Sequence, residues 1–247
     1  MELRGKKVIV TGGVRGLGRA MVEQLVSKGA VLTVFDLDTA GLAELVKSGV
    51  NGFECDVSNY ERVVETTDRY HQEFGAADVL INNAGILYSE PLIKFTGSSV
   101  ERHDPATWNK VMAADLNSVF YMTTCVVEKM ITTRTRGVIV NISSVSASGN
   151  PGQSAYSAAK AGVNALTAVW AKELGPMGIR VVAIAPGFTD TDSTREALSE
   201  PVLRETTKRV PLRRLGKPEE IAHGVISMLE NDFFNGKVFE LDGGLVI

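Results

Sequence analysis

The chain predicts an α/β fold, a single doubly wound domain over residues 1–247 on a mostly parallel seven-stranded sheet. Three observations predict it. Seven short apolar runs alternate with longer amphipathic segments along the 247 residues. A glycine-rich turn joins the first apolar run to the first amphipathic segment. No Pro/Gly/Ser-rich linker or block of like charge divides the sequence. Strand–helix alternation of this kind implies parallel strands with right-handed crossovers, their apolar runs buried on both faces.

The elements follow in order. Lys7–Thr11 is a β-branched run and reads as the first strand, and residues 17–28 have helical periodicity. Strands are expected at Val31–Asp36, Gly52–Cys55 and Val79–Asn82, with a helix over 59–74. Strand Val138–Ser143 lies between helical patterns at 107–132 and 154–174, and Arg180–Ala185, a helix at 218–230 and strand Val238–Leu241 complete the series. Two stretches fit poorly. Tyr88–Pro105 is a polar connection, and Asp190–Arg214 is charged and partly helical in pattern. Long connections in a compact domain are usually functional or disordered. Both follow strands at their carboxyl ends, where a doubly wound fold binds its ligands, so loops 88–105 and 190–214 read as the substrate side.

Composition narrows the function classes. A hydrophobic fraction of 44% suffices for a sizeable core, and a net charge of −3 argues against a nucleic-acid or anionic-membrane footprint. The two cysteines, Cys55 and Cys125, read as small hydrophobes of a reducing compartment. The three histidines, His71, His103 and His223, are scattered and lack metal-ligand spacing, so no metal is expected. No run approaches the roughly 18 apolar residues of a membrane span. The N-terminal MELRGKK runs directly into VIV without a signal-peptide pattern, and a cytoplasmic protein is expected.

The stretch Thr11-Gly12-Gly13-Val14-Arg15-Gly16-Leu17-Gly18 carries the first chemistry. It links a strand to a helix. Gly12 permits the tight turn, Gly16 the close approach of a pyrophosphate, and Gly18 the packing of helix on strand. Free N–H groups and the positive end of the helix dipole then face the phosphates. The second strand ends at Asp36, some 20 residues on, where a carboxylate accepts hydrogen bonds from an adenosine ribose. A Rossmann-type dinucleotide site follows. Asp36 would repel a 2′-phosphate by roughly 4 kcal/mol for unit charges at 4 Å and an effective dielectric of about 20. Arg15 could pair with that phosphate, rest over the adenine or pair with Asp36. NAD is the expected cofactor, with NADP the alternative.

Beyond the glycine loop, the chain resembles the short-chain dehydrogenase/reductase family. The matching pieces are Thr11-Gly12-x-x-x-Gly16-x-Gly18, Asp56-Val57, Asn82-Asn83-Ala84-Gly85, Ser143-Ser144, Tyr156-Ser-Ala-Ala-Lys160, Pro186-Gly187 and Leu241-Asp242-Gly243-Gly244. They occur in the family's order over essentially the whole sequence. The resemblance implies nucleotide contacts from Gly12, Arg15, Gly16, Leu17, Gly18, Asp36, Tyr156 and Lys160. Asp56 and Val57 would flank the adenine, and Asn82, Ala84 and Gly85 would pass beneath the nicotinamide half. Pro186, Gly187, Thr189 and Thr191 would hold its carboxamide.

Tyr156 and Lys160 lie four apart and share a helix face. A free tyrosine has a pKa near 10, and an ammonium beside it together with oxidised nicotinamide favours the phenolate. The tyrosine then exchanges a proton with the substrate oxygen while hydride passes between carbon and nicotinamide, a contribution of about 10²–10⁴-fold. The strand-end pattern puts the polarising hydroxyl on Ser144, whereas the usual interval back from Tyr156 lands on Ser143. Ser144 is preferred, because strand-end direction is harder to change than loop length. Asp115 stands where the family normally has asparagine, and Asn117 is turned about 200° away along a helix. Asp115 is expected to keep the position and to strengthen the charge of Lys160, or else the site simply tolerates the exchange.

The substrate is the least constrained part of the sequence. The segment Leu87–Pro105 and the ending from Ala222-His223 to Gly243 resemble the short-chain 3-hydroxyacyl-CoA dehydrogenases, which suggests NAD-dependent interconversion of a secondary alcohol and a ketone. Arg195, Lys208, Arg209, Arg213 and Arg214 could meet CoA phosphates. The run from Pro211 to Ala222 also resembles NADPH-dependent 3-oxoacyl-carrier-protein reductases. A dehydrogenase of another secondary or cyclic alcohol and a non-catalytic dinucleotide sensor are further alternatives. The resemblance also implies a homotetramer.

Overall fold

A computed structural model describes residues 1–197 and 199–245. The elements run β1 (Lys7–Thr11), α1 (Gly16–Ser27), β2 (Val31–Asp36), α2 (Thr39–Lys47), β3 (Asn51–Glu54), α3 (Tyr60–Phe74) and β4 (Val79–Asn82). A hairpin follows, β5 (Ile93–Thr96) and β6 (Ser99–Arg102), then α4 (Pro105–Met112), a π-helical turn Ala113–Asn117, α5 (Ser118–Thr132) and β7 (Gly137–Ile142). The rest is α6 (Ser154–Leu174), β8 (Ile179–Pro186), α7 (Asp192–Ala197), α8 (Glu200–Arg209), α9 (Pro218–Glu230) and β9 (Val238–Leu241). Seven strands form one sheet in the order β3-β2-β1-β4-β7-β8-β9, and every pair in it is parallel. This is the doubly wound α/β fold.

Strand alternation divides the core into two layers. Val8 and Val10 pack with Leu25, Val225 and Leu229 on the α1/α9 side, whereas Ile9 faces Val63, Val126 and Val163 on the α3/α5/α6 side. In β7, Val138 and Val140 join the first layer and Ile139 the second. Successive side chains of a strand point to opposite faces, so a strand covered on both sides must be apolar throughout.

Helix boundaries have local causes. Asn59 caps α3 by accepting from the Arg62 N–H at 3.0 Å, and α3 stops at Gly75, whose φ is +74°. Asp104 caps α4, with Pro105 in the first turn.

Three details depart from the sequence expectation. A nine-residue helix, α2, fills the connection after β2, capped by Asp38. The polar connection 88–105 contains a hairpin absent from the sequence expectation, β5 and β6 pairing antiparallel across a turn at Gly97. The helix expected over 107–132 is interrupted by the π turn, which holds Asp115. The 190–214 stretch contains α7 and α8.

Candidate active site

The strand order reverses between β1 and β4, and the carboxyl ends of β1, β2, β4, β7 and β8 open there into a cleft of about 920 Å³. Gly12 and Gly16 form its floor at the end of β1, both at positive φ, +64° and +56°. The two glycines serve different purposes. A Cβ on Gly12 would come within 2.9 Å of the Ala84 Cα, whereas one on Gly16 would meet nothing nearer than the Thr191 methyl at 3.8 Å. Gly16 therefore leaves clear space in the cleft, directly at the N-terminus of α1, where no side chain caps the free N–H groups. That cradle fits a pyrophosphate.

Gly18 does not line the cleft. It is buried, and a Cβ there would run into the Gly12 carbonyl oxygen, so its role is helix-on-strand packing and not the nucleotide contact expected of it. Asn82 is also displaced from its expected place. Its amide donates to Asn141 Oδ1 at 2.9 Å and Thr123 Oγ1 at 3.0 Å inside the core, because parallel strands β4 and β7 set Asn82 beside Asn141. Asn83 ties the loops together instead, donating to the carbonyls of Thr11 and Gly12.

At the adenosine end, Asp36 accepts from the Val14 N–H through one oxygen and the Asp38 N–H through the other, each at 3.1 Å. The carboxylate thus holds the glycine loop while facing the cleft. Arg15 is exposed and forms no ion pair among the described residues. Asp56 Oδ1 accepts from Ser58 N and Oγ, and Val57 lines the wall beside it. At the other end, Ala84, Gly85, Pro186, Gly187, Thr189 and Thr191 line the cleft, with Leu17 beside the glycine loop.

The proton-handling groups meet between these ends. Lys160 Nζ donates to the Ile142 carbonyl at 3.1 Å, stands 3.2 Å from Asp115 Oδ1 and lies 5.6 Å from the Tyr156 ring centroid. The other Asp115 oxygen accepts from the Ile86 N–H at 3.2 Å. Gly85 makes room for this carboxylate, since a Cβ there would clash with Asp115 Oδ1. Asn117 is exposed on the opposite side of the π turn. The two serines separate clearly: Ser143 Oγ donates to Asn164 Oδ1 at 2.5 Å, whereas Ser144 interacts with the Tyr156 phenol and accepts from the Ser146 N–H.

Electrostatics refine the expectation for Tyr156. Burial pushes its phenol upward and Asp115 adds to this, while Lys160 and Ser144 pull it down; the net direction is up. A phenol pushed in this direction favours the proton-donor role. Burial lowers Lys160, but Asp115 and Tyr156 outweigh that and hold the ammonium above its usual range. Asp115 is raised by burial against the opposing pull of Lys160.

Several cleft residues carried no motif. Ile86, Leu87 and Phe188 supply apolar wall, Ser146 and Gln153 polar wall. Gln153 lies three residues before Tyr156 at the start of α6, a spacing that could have singled it out.

The short chain dehydrogenase family model matches residues 6–201. The chain belongs to this family. It is 38% identical over 256 residues to the 3-oxoacyl-[acyl-carrier-protein] reductase FabG of Thermotoga maritima, covering 100% of both chains. Identity to the protein of the same name from Pseudomonas aeruginosa is 37% over 255 residues, with 99% of each covered. The crystal structure of gox2181 superposes with a TM-score of 0.89 at 31% identity, covering 98% of this chain and 97% of that one. The protein is an oxidoreductase acting on CH–OH and keto groups with a nicotinamide nucleotide. No helix among the described residues is long and apolar enough to cross a membrane.

Proposed function

We propose that the protein reduces 3-oxoacyl thioesters to 3-hydroxyacyl thioesters with NADH. The reading is carried by the meeting of Tyr156, Ser144 and Lys160 in the same cleft that Gly16 lines, with Lys160 Nζ 5.6 Å from the Tyr156 ring centroid. The names of the full-length relatives favour the carrier-protein substrate over the hydroxyacyl-CoA oxidation that residues 87–105 suggest; the two share the same 3-oxo/3-hydroxy thioester chemistry. Ile86, Leu87 and Phe188 suit an acyl chain, and Ser146 and Gln153 suit the polar thioester end.

When bound, the reduced nicotinamide supplies hydride to the carbonyl carbon. Ser144 Oγ donates a hydrogen bond to the carbonyl oxygen, and Tyr156 transfers its phenolic proton to that oxygen, completing CH–OH. Lys160 Nζ, fixed by the Ile142 carbonyl and Asp115, stabilises the phenolate left behind. Oxidation runs the same transfers in reverse.

Asp36 favours NAD(H), because its carboxylate suits a ribose diol and repels a 2′-phosphate. One observation favours a second reading, NADP(H): Arg15 is exposed on the glycine loop and is not engaged with Asp36. Exposed Phe120 on α5 and Val169 on α6 support self-association into the homotetramer implied by the family, and a cytoplasmic enzyme fits both readings.

Initial rates with acetoacetyl-CoA and with an acetoacetyl carrier-protein thioester, each with NADH and NADPH, test this reading. NADH-dependent turnover of either thioester supports it, and a higher kcat/KM for the carrier form supports the carrier substrate. Preference for NADPH transfers cofactor selection to Arg15. Turnover of neither thioester refutes the proposed substrate.

A further inference from the structure

We infer that Glu90 is a positioning residue for the ketone side of the cleft, acting through Gln153 and the Ile86–Leu87 wall. The inference rests on the ketone-reducing activity, and its substrate assignment is the thioester reading above.

The hairpin β5–β6 is not held by an apolar core. Phe95 and Val100 pair directly across it and are 80% and 64% exposed, with Leu92 at 71%. A two-stranded hairpin is marginal in water without such burial. Its base is closed by charge instead. Glu90 is 3% exposed, and its Oε1 meets Lys94 Nζ at 2.5 Å and the Asp104 N–H at 3.4 Å. Its Oε2 lies 3.4 Å from His103 Nδ1, on the opposite strand of the hairpin's base. Lys94 holds the Glu90 carboxyl below the usual carboxylate range.

The same residue is joined to the catalytic helix. Glu90 and Gln153 form a parallel backbone bridge, and Gln153 Nε2 donates to Ser89 Oγ at 3.2 Å. Gln153 is itself buried, flanks the N-terminus of α6, and accepts from the Ser157 N–H through its carbonyl at 2.7 Å. It lines the cleft three residues before Tyr156, as Ile86 and Leu87 line it just upstream of Glu90. The Glu90 backbone thus joins the Gln153 wall to the segment that continues from Ile86 and Leu87, while its buried carboxylate fixes that backbone to the base of the hairpin through Lys94 and the Asp104 N–H. Losing its charge removes the ion pair with Lys94, loosens the base of the hairpin and frees the Glu90–Gln153 backbone junction to move.

The test uses Glu90→Gln, Lys94→Met and their combination in the full chain. For Glu90→Gln, KM for the ketone should rise about tenfold while kcat and the nucleotide Kd stay within about twofold. Lys94→Met should reproduce the direction, and the double variant should add little, as expected of two members of one clamp. Amide hydrogen exchange should quicken at His103, Gln153 and Ser157 and stay unchanged in α1. Parallel losses in KM, kcat, nucleotide affinity and melting temperature would make Glu90 a packing residue and overturn the inference, as would faster exchange confined to the hairpin. If the wild-type protein reduces a different ketone, the thioester reading falls and the same KM comparison is made with that ketone. If it reduces none, the exchange pattern alone decides.

Discussion

Replacing Asp115 by asparagine removes one negative charge from the proton-handling cluster while keeping its shape. The carboxylate stands 3.2 Å from Lys160 Nζ, and Nζ stands 5.6 Å from the Tyr156 ring centroid, so carboxylate and phenol ring lie within about 9 Å. At an effective dielectric of about 20, unit charges at about 9 Å interact by about 2 kcal/mol, more than one pH unit. An anion at Asp115 disfavours the phenolate and raises Tyr156, so its removal should lower Tyr156. Alcohol oxidation needs the phenolate. The acid limb of kcat/KM for 3-hydroxybutyryl-CoA oxidation should therefore move down by about one pH unit in Asp115→Asn. The opposing route runs through Lys160, which loses the partner that holds it charged. Its contact with the Ile142 carbonyl remains, so the direct effect should win. Initial rates over a pH series, with identical nucleotide saturation, read the shift. An unmoved limb, or one that moves up, would make Asp115 chiefly a support for the lysine charge and rule out its direct effect on the phenol.

Other substitutions separate structural from chemical roles. Gly18→Ala forces a methyl into the Gly12 carbonyl and should cost about 3 kcal/mol or more in chemical unfolding. Gly16→Ala meets only ordinary contact with Thr191 and a positive φ, so stability should fall by about 1 kcal/mol while NADH titration shows binding weakened more than tenfold. Asp36→Asn keeps an acceptor for the Val14 N–H but removes the charge, and the NADPH/NADH ratio of kcat/KM should rise at least about tenfold. Ser144→Ala should lower kcat by about 10²-fold, whereas Ser143→Ala should lower melting temperature through the lost Asn164 contact and leave kcat largely intact.

Much of this architecture was legible in residue order. The seven strands lie within a residue or so of where β-branched runs and strand-end motifs place them, because a two-face-buried strand has no freedom to be polar. The carboxyl ends of those strands then bring Gly16, Asp36, Ser144, Tyr156 and Lys160 to one cleft. What escaped has physical reasons. Helix α2 is short and carries Gly41 in its first turn, which weakens its periodic signal. The hairpin's alternation in Ile93–Thr96 and Ser99–Arg102, around Gly97-Ser98, is a readable turn signal, obscured by the charge of the surrounding stretch. The π turn at Asp115 has no composition of its own. Motif position alone also cannot separate residues that face a ligand from those that pack behind it. Gly18 and Asn82 sit inside nucleotide motifs, yet both face the protein interior.

Tyr156 supplies the proton that completes ketone reduction in the proposed reaction. A decisive comparison sets wild-type protein beside Tyr156→Phe, following NADH binding by nucleotide fluorescence and NADH consumption with acetoacetyl-CoA in the same preparation. NADH affinity should be unchanged and the rate reduced by at least about 10²-fold. A variant that binds NADH normally and still reduces the ketone at the wild-type rate would contradict it.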